Sequence, residues 1–393
     1  MIDISNAIEL ALGRVLPLRG TEVLTLEDAL GRVLSEDITA RKDMPGFDNS
    51  ALDGYAYNSA AVDKILKIKE PTIFAGDKNF YEISELQAQK IMTGAPMPAG
   101  ADGIVRLEDV EPKNGELRLP QDIKIGDGFR KKGEEVRAGE ILLRASEVLS
   151  PAKIMLLAAQ GIYEISVFTL PKIALFSTGD ELKEPWQSAD EREIYNANSS
   201  GIRALLSEAG FASEYLGIIR DEKSAVVEAL RSACEKFDVV ISSGGASAGE
   251  ADFMQKALED LGFARVFDHI NVKPGRPTKC YEKDGKFVFA MAGNPLAAFI
   301  QTRVLFLPIL RKISGEGGEC LNPEPILATA KGRIKSRPSR IDITLGIYKD
   351  GGFTPVQTQS GMIKPLSLCT HYFVSSASGE TAEKGEIIKI YEI

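Results

Sequence analysis

The fold is decided by four apolar segments that each end in a polar turn: KIALFSTGDEL (172–182), EYLGIIRDE (214–222), DVVISSGGASAGEAD (238–252) and FVFAMAGNP (287–295). Stretches with apolar residues at helical spacing follow them, and we expect Asn198, Asp221 and Asn294 to cap three of these helices. Near-continuous apolar strands are typical of sheets covered on both faces. The alternation therefore predicts a doubly wound, mostly parallel α/β sheet over residues 171–316, with ligands beyond the carboxyl ends of its strands.

Short helices are predicted outside this region. Asn6 with Glu9, and Thr25 with Asp28, have the spacing of capping boxes and predict two short opening helices. The pair Ser150-Pro151 predicts the start of another helix, because proline is favoured at the first helical position.

The remaining chain reads as β structure. Glycine, proline and short β-type runs dominate residues 41–137, which predicts a β-rich domain inserted into a discontinuous helical linker domain (1–40 and 138–170). Short alternating strands with glycine turns predict a small C-terminal β-barrel over residues 317–393. The predicted fold class is thus multidomain α/β plus β, with four domains.

Length and composition agree with a globular protein of several domains. The chain has 393 residues, of which 44% are hydrophobic and 26% charged, and domains average roughly 150 residues. No stretch approaches the ~18 consecutive apolar residues of a membrane span. The first residues include Asp3 and Glu9 and lack the apolar core of a signal peptide, so we expect a cytoplasmic protein.

Charge and residue counts exclude several classes of function. Lys+Arg 47 against Asp+Glu 56 gives a net charge of −9, which does not favour binding to nucleic acid or to an anionic membrane. Four cysteines without a CxxC pair, and only two histidines, argue against a zinc site. A Ser-His-Asp enzyme is excluded unless His269 or His371 is its catalytic histidine. Any metal should be a hard ion with oxygen ligands, such as Mg²⁺.

Acidic and glycine-rich turns follow the predicted strands. Glu181, Asp221 and Asp252 each follow a different strand, so we expect them at one edge of the sheet, where carboxylates suit Mg²⁺. The alternative is that they cap helices or interact with helix dipoles. The loop at 242–249 is expected to provide backbone N–H groups that suit a phosphate. The alternative is a flexible turn between strand and helix, which would have the same glycine-rich sequence.

A basic turn, VKPGRPTK (272–279), carries Lys273, Arg276 and Lys279 on a segment stiffened by two prolines. Fixed cationic side chains suit a small oxyanion, whereas the alternative is a solvated basic loop. Within AGNP (292–295), we expect Asn294 and Pro295 to begin a helix in either case.

Eight segments in order along the chain carry a resemblance to a known family: PGFDNSALDGYA (45–56), IMTGAPMPAGAD (91–102), RKKGEEVRAG (130–139), ALFSTGDEL (174–182), LGIIRDE (216–222), DVVISSGGASAGEADF (238–253), VKPGRPTK (272–279) and AGNPLAAF (292–299). Together they resemble the MoeA family, the molybdopterin molybdenumtransferases, to which the E domain of gephyrin is related. The resemblance implies Mg²⁺-dependent insertion of molybdate into the dithiolene of adenylylated molybdopterin, with release of AMP. It also implies a homodimer, a third domain similar to MogA and MoaB, and the molybdopterin adenylyltransferase as a partner.

The resemblance implies roles for individual residues of this chain. The catalytic set corresponds to Asp53, Thr93, Glu181, Asp221 and Asp252, and the Mg²⁺ ligands to the last three of these. The molybdate site corresponds to Lys273, Arg276, Pro277, Arg340 and, as the candidate for a serine, Ser367. The pterin and nucleotide site is assigned to Ser243, Gly244, Gly245, Ser247, Asn294 and Pro295.

Four residues depart from the family pattern. Arg276 stands where lysine is usual, and Glu135 where aspartate is common. Asn196 replaces an aspartate and removes a negative charge near the nucleotide site, and Ala297 replaces a serine that would hydrogen-bond molybdate. The acidic set and the basic turn are retained, so we expect an active enzyme.

Two other functions remain open at this point. The α/β domain alone resembles molybdopterin adenylyltransferase, for which ATP-dependent adenylylation of molybdopterin would decide. A non-catalytic scaffold, like the gephyrin E domain, would release no AMP. The sequence also leaves molybdate and tungstate open as the oxyanion.

Overall fold

The computed structural model describes residues 2–16, 20–244, 250–317, 324–376, 378–379 and 381–393, and for residues 250–253 it describes the backbone. The chain divides into two compact units. The first consists of Met1–Glu36, Ala145–Ser150 and Glu164–Ile393, and the second of Asp37–Arg144 and Pro151–Tyr163. The boundaries of the four domains inferred from the sequence remain a prediction.

The α-helices of the described residues are α1 (Ile4–Leu12), α2 (Pro151–Ala159), α3 (Ala197–Glu208), α4 (Lys223–Lys236), α5 (Glu250–Asp260), α6 (Pro295–Gln301) and α7 (Leu307–Ile313). A π-helical turn at Thr302–Phe306 joins α6 to α7, so the long helix expected after Asn294 is present with one irregular turn. No helix in the described ranges is long and apolar enough to span a membrane.

The opening segment differs from its prediction. Asp3, rather than Asn6, is the N-cap of α1. The second predicted helix, which would follow Thr25, is reduced to a single 3₁₀ turn at Leu26–Asp28, and the strand β1 (Thr21–Thr25) precedes it. The side-chain hydrogen bond from Thr25 to Asp28 does form, at 3.2 Å. Beyond this turn Val33 and Leu34 form bridges with Val148 and Val167, so pairing with distant segments outweighs the local helical signal.

The second unit is β-rich, as predicted. Its strands are β2 (Ile38–Thr39), β3 (Asn49–Ser50), β4 (Gly54–Tyr57), β5 (Ile65–Ile73), β6 (Gln87–Ile91), β7 (Gly103–Arg106), β8 (Glu116–Arg118), β9 (Phe129–Arg130) and β10 (Ile141–Leu143). Five of them form one sheet in the order β7-β4-β6-β5-β8. Every residue of β4 is buried, because apolar clusters cover both faces of this central strand.

The α/β region of the first unit begins after β11 (Glu164–Phe168), which pairs with β1. Its strands are β12 (Ile173–Thr178), β13 (Leu182–Lys183), β14 (Ile194–Tyr195), β15 (Ser213–Ile219), β16 (Val239–Ser243), β17 (Ala264–Asp268), β18 (Val272–Lys273), β19 (Lys279–Lys283) and β20 (Lys286–Met291). The main sheet has the order β15-β12-β16-β20-β19-β17. Its first four strands are parallel and are those predicted from the sequence.

Helices cover both faces of this sheet. Alternate residues of β12 enter different apolar clusters: Leu175 packs with α1, α3, α6 and α7, whereas Phe176 packs with α4 and α5. This alternation follows from the period of two in a strand and confirms the doubly wound class. Helix α1 shares the core of the sheet, because its buried residues, such as Ile4 and Ala7, lie on one apolar face.

The C-terminal strands are β21 (Ile326–Ala330), β22 (Ile341–Lys349), β23 (Gly352–Pro355), β24 (His371–Val374) and β25 (Ile387–Glu392). They pair in the order β22-β23-β21-β25-β24, and β24 pairs back onto β22. The ring is a closed five-stranded barrel, as predicted. Strand β18 of the α/β region adds to the barrel strand β22, with Lys273 opposite Asp342. The α/β region and the barrel therefore share a β-ladder.

Candidate active site

Three parallel strands end beside one another and bring their turns to a common cavity. Strands β12, β16 and β20 lie in register, with Ser177 opposite Ser243 and Ser243 opposite Met291. The turns that follow line a cavity of about 670 Å³. We call it the acid cavity, defined by Glu181, Asp221, Ser243, Gly244, Asn294 and Pro295. The predicted placement at the carboxyl ends of the strands agrees with this geometry.

Close approach of the backbone shapes the floor of the acid cavity. Gly244 has φ +100°, and a Cβ there would lie 2.6 Å from the carbonyl oxygen of Thr178. Any other residue would collide with that strand end, so glycine is required here. The rest of the predicted phosphate loop, including Gly245 and Ser247, lies outside the described residues.

Asn198 holds two strand ends together. Its Nδ2 donates to Ser243 Oγ at 2.8 Å and to the carbonyl oxygen of Gly293 at 2.8 Å. The sequence predicts a helix cap at Asn198, but the N-cap of α3 is Asn196, whose side chain accepts from Ser199 N–H. The side chain of Asn198 is therefore available to brace the cavity.

Asn196 belongs to a buried network of hydrogen bonds. It is 2% exposed, and its Nδ2 donates to the hydroxyl of Tyr215 at 2.7 Å. That hydroxyl donates in turn to Glu184 Oε1 at 2.7 Å. Burial, with the bond to Glu184, raises the pKa of Tyr215 far above its usual value. An amide at position 196 can donate to the tyrosine oxygen, which an ionised aspartate cannot do.

A short two-stranded segment forms one wall of the acid cavity. Strands β13 and β14 pair in parallel, and both contribute lining residues, including Leu182 and Tyr195. Between the two strands the chain carries Trp186, the single tryptophan of the protein, which is 76% exposed.

Two of the predicted Mg²⁺ ligands line this cavity. Asp221 does not cap a helix: α4 begins at Lys223, and its N-cap is Glu222, whose side chain makes no capping bond. Asp221 and Glu181 both line the acid cavity. The side chain of the third, Asp252, lies outside the described part of the chain. Among the described residues, no three histidine, cysteine or acidic side chains come together as a metal site.

The donor groups present nevertheless fit a hard cation. Carboxylates and hydroxyl oxygens are the ligands that Mg²⁺ prefers. Thr178, which also lines the acid cavity, has a buried Oγ1 without a hydrogen-bond partner among the described residues. An orphaned oxygen in a cavity that two carboxylates also line fits a cation with its water shell.

A second cavity lies between the basic turn and the barrel. It has a volume of about 460 Å³. We call it the basic cavity, defined by Lys273, Arg276, Pro277, Arg337, Arg340 and Ser360. The ladder between β18 and β22 places the barrel arginines beside the α/β turn. Asn294 lines both this cavity and the acid cavity, so the two adjoin.

A buried amide supports the basic turn from below. Gln301 in α6 is fully buried, and its Nε2 donates to the carbonyl oxygen of Pro274 at 3.1 Å. Gly275 has φ +105°, and a Cβ there would overlap Gln301 Nε2. Ala297, one helical turn before Gln301, lines the basic cavity. The sequence pattern gave no signal for Gln301 beyond its place on an apolar helix.

The structure separates one predicted molybdate residue from the others. Ser367 lines an apolar cavity of about 280 Å³ with Phe299 and Leu366, and its hydroxyl donates to the carbonyl oxygen of Lys364. Ser360 lines the basic cavity instead. The carbonyl oxygen of Ser360 accepts from Leu296 N–H at 3.1 Å, which ties this turn to the start of α6. A serine more than eighty residues from the basic turn carries no spacing signal in the sequence.

Within the second unit, Asp53 and Thr93 lie together. Asp53 Oδ1 accepts from Thr93 N–H at 2.7 Å and from Thr93 Oγ1 at 2.8 Å. The backbone bond, and then the hydroxyl bond, hold the pKa of Asp53 below its usual value. The carboxylate is exposed and is therefore ionised and accessible at neutral pH.

Similarity to known proteins covers both units. Residues 2–161 match the model of the MoeA N-terminal region (domain I and II), and residues 174–312 match that of a probable molybdopterin binding domain. The molybdopterin molybdenumtransferase of Haemophilus influenzae is 32% identical over 342 residues, 86% of this chain and 84% of that protein. The chain belongs to the molybdopterin molybdenumtransferase family. The family member from Bacillus subtilis is 33% identical over 302 residues, 74% of this chain and 70% of its own length.

Solved structures agree with membership of the molybdopterin molybdenumtransferase family. The molybdopterin biosynthesis MoeA protein from Pyrococcus horikoshii OT3 is 26% identical, with 100% of both chains covered and a TM-score of 0.85. The resemblance inferred from the motifs is thereby confirmed, as are the fold class and the prediction of an enzyme of molybdenum cofactor biosynthesis.

Proposed function

We propose that this chain inserts molybdate into the dithiolene of adenylylated molybdopterin, in a Mg²⁺-dependent reaction that releases AMP. The observation that carries the proposal is the contact between two cavities of opposite charge at Asn294. A substrate with a phosphoanhydride and a dianionic co-substrate need separate binding sites that adjoin. The acid and basic cavities meet both requirements.

The acid cavity is assigned to the nucleotide end of the substrate. Glu181 and Asp221, with Asp252, would hold Mg²⁺, which when bound offsets the negative charge of the phosphoanhydride. Phosphate oxygens are assigned to the hydroxyl of Ser243 and to the close backbone approach at Gly244. Gly245 and Ser247, outside the described residues, would add backbone N–H and hydroxyl donors. Asn294 and Pro295 line this cavity, and Asn294 also lines the basic cavity.

The basic cavity is assigned to molybdate. Lys273 and Arg276 supply positive charge, Arg340 lines the site as a guanidinium paired with Asp342, and Pro277 restricts the turn. The serine hydroxyl of this site is assigned to Ser360, because Ser360 lines the basic cavity whereas Ser367 lines the apolar cavity. Charge-assisted hydrogen bonds from fixed donors favour a tetrahedral dianion over solvent.

Asp53 and Thr93 are assigned to the same reaction in a homodimer, where a second copy of the chain would present them to the acid cavity. Light scattering of the active protein tests this: a dimer at micromolar concentration is expected, and an active monomer would contradict it. We further propose a cytoplasmic location and transient contact with the molybdopterin adenylyltransferase that supplies the substrate.

The decisive assay measures AMP released by the purified full-length chain from adenylylated molybdopterin. Release should require both molybdate and Mg²⁺, and tungstate in place of molybdate identifies the preferred oxyanion. ATP-dependent adenylylation of molybdopterin would instead assign the chain as an adenylyltransferase. Substrate binding without AMP release would assign a scaffold.

A further inference from the structure

The cations around the basic cavity are not equivalent. Arg340 donates from Nε (3.1 Å) and from Nη2 (2.6 Å) to Asp342 Oδ1. Its positive charge is therefore largely offset by a partner that is itself half-buried. Lys273 and Arg276, by contrast, have no carboxylate within ion-pair distance among the described residues.

Arg337, like Lys273 and Arg276, has no carboxylate partner for its side chain among the described residues. Its backbone N–H donates to Asp342 Oδ2 at 3.1 Å, which fixes the chain at this point. Its guanidinium has no hydrogen-bond or ion-pair partner in the part of the chain that the structure describes. The side chain is exposed and lines the basic cavity beside Lys273 and Arg276.

The same side chain also lines a second opening. A neighbouring outer cavity of about 560 Å³ is lined by Arg333, Lys335 and Arg337, together with Lys273 and Arg340. Arg333 is paired with Glu383 at 3.0 Å. Arg337 therefore stands where the outer cavity meets the basic cavity, and it is an unpaired guanidinium common to both.

The net charge of the chain makes the unpaired guanidinium of Arg337 important for anion binding. The chain carries a net charge of −9, so its average field repels a dianion. A small oxyanion enters only where a local cluster of uncompensated positive charge overcomes that repulsion. A guanidinium offers several N–H donors in a planar fork, which suits the oxygens of a tetrahedral anion.

We propose that Arg337 is a further oxyanion-binding residue, which takes the tetrahedral dianion at the junction of the two cavities and holds it with Lys273 and Arg276. This inference rests on the proposed function of the basic cavity. It goes beyond that function by dividing the arginines: Arg337 contributes net charge, and Arg340, already paired, contributes mainly shape and direction.

Calorimetric titration of molybdate alone into the full chain tests the inference without the pterin substrate. Arg337→Gln should weaken binding by about tenfold or more, since a charge-assisted hydrogen bond is lost. Arg337→Lys should recover part of this loss, because it keeps the charge. The matched control is Arg333→Gln, which removes a paired arginine from the outer cavity and should change the affinity less than about twofold.

The outcomes separate the inference from the proposed function. Wild-type affinity in Arg337→Gln, with binding lost in Lys273→Gln, would overturn the role of Arg337 and leave the basic cavity as the oxyanion site. Equal losses in Arg337→Gln and Arg337→Lys would also overturn it, since charge would not be the contribution. Unchanged binding in both Arg337→Gln and Lys273→Gln would overturn the assignment of the cavity itself.

Discussion

The acid and basic cavities adjoin, yet they are built in different ways. The acid cavity is formed by turns that directly follow parallel strands of one sheet, such as those at Glu181 and Ser243. The basic cavity joins an α/β turn to residues of the barrel, such as Arg337 and Arg340. Most of the acid cavity is thus made by local connections within the α/β region, to which the barrel region adds Gly361 and Ile363, whereas the basic cavity depends on the ladder between β18 and β22.

This difference has electrostatic and structural consequences. An acidic pocket accepts a phosphate only with a cation between them, whereas a basic pocket accepts an oxyanion directly. Loss of metal should therefore affect the first cavity and leave the second intact. Distortion of the turn between β18 and β19 should do the reverse. Each expected result below tests whether the two cavities can be separated in this way.

The largest effect is expected from removing two unpaired cations together. Lys273→Ala with Arg276→Ala should raise the molybdate concentration for half-maximal AMP release by roughly a hundred- to ten-thousandfold, because two charge-assisted hydrogen bonds are lost. The affinity for adenylylated molybdopterin should remain close to that of the wild type. If instead the pterin affinity collapses and the molybdate dependence stays the same, the turn binds phosphate or pterin.

The converse variant is Asp221→Ala in the acid cavity. Loss of a Mg²⁺ ligand removes charge stabilisation of several kcal/mol, so AMP release should fall by about a hundredfold or more. Titration of molybdate alone should give the wild-type affinity. The matched control is the neighbouring Glu222→Ala, whose side chain makes no capping bond and lies outside the cavity lining. Equal turnover in both variants would contradict the acidic site.

A smaller effect is expected from crowding the support of the basic turn. Gly275→Ala places a Cβ on Gln301 at φ +105°, which should lower the free energy of unfolding by about 1–3 kcal/mol. Molybdate affinity should fall with it. Gly351→Ala is the control, because that glycine has φ +74° and no neighbour within 4 Å. Chemical denaturation and calorimetry check both; equal losses without a change in affinity would show that Gln301 does not hold the turn.

The smallest effect concerns the acid of the second unit. Thr93→Val removes the hydroxyl donor but keeps the backbone donor to Asp53, so the pKa of Asp53 should rise part of the way to its usual value. Because the folded-state pKa of Asp53 is depressed, ionised Asp53 stabilises the fold at pH values above its unfolded-state pKa. This contribution is lost as the pH falls through the folded-state pKa. Thr93→Ser should leave the pKa low. Carboxyl NMR titration distinguishes the two variants, and identical titrations would show that the hydroxyl has no influence.

The sequence predicted the parts of the molecule whose signals are local. Strands β12, β15, β16 and β20 followed from apolar runs, and their polar turns were placed at one edge because parallel strands end together. Asp221 remained ambiguous, because a carboxylate after a strand can cap a helix or bind a ligand. The structure places the N-cap of α4 at Glu222, one residue after Asp221, so helix capping no longer accounts for Asp221.

Features made by distant pairing could not be predicted. Strand β1 exists because it pairs with β11, about 140 residues away. Ser360 and Arg337 reach the basic cavity because β18 joins the barrel, and neither residue carries a motif. The resemblance points to Ser367 as the candidate for the serine of this site, yet the hydroxyl of Ser367 is used within its own turn.

The fluorescence of the single tryptophan can report on the wall of the acid cavity. Trp186 is exposed and lies between β13 and β14, the two strands that form a wall of the acid cavity. Its emission in the absence of ligand should lie at the long wavelengths of a solvated indole, and all intrinsic tryptophan fluorescence comes from this one site. A stopped-flow trace of that fluorescence would therefore report movement of the wall when the nucleotide end of the substrate arrives, without any introduced label.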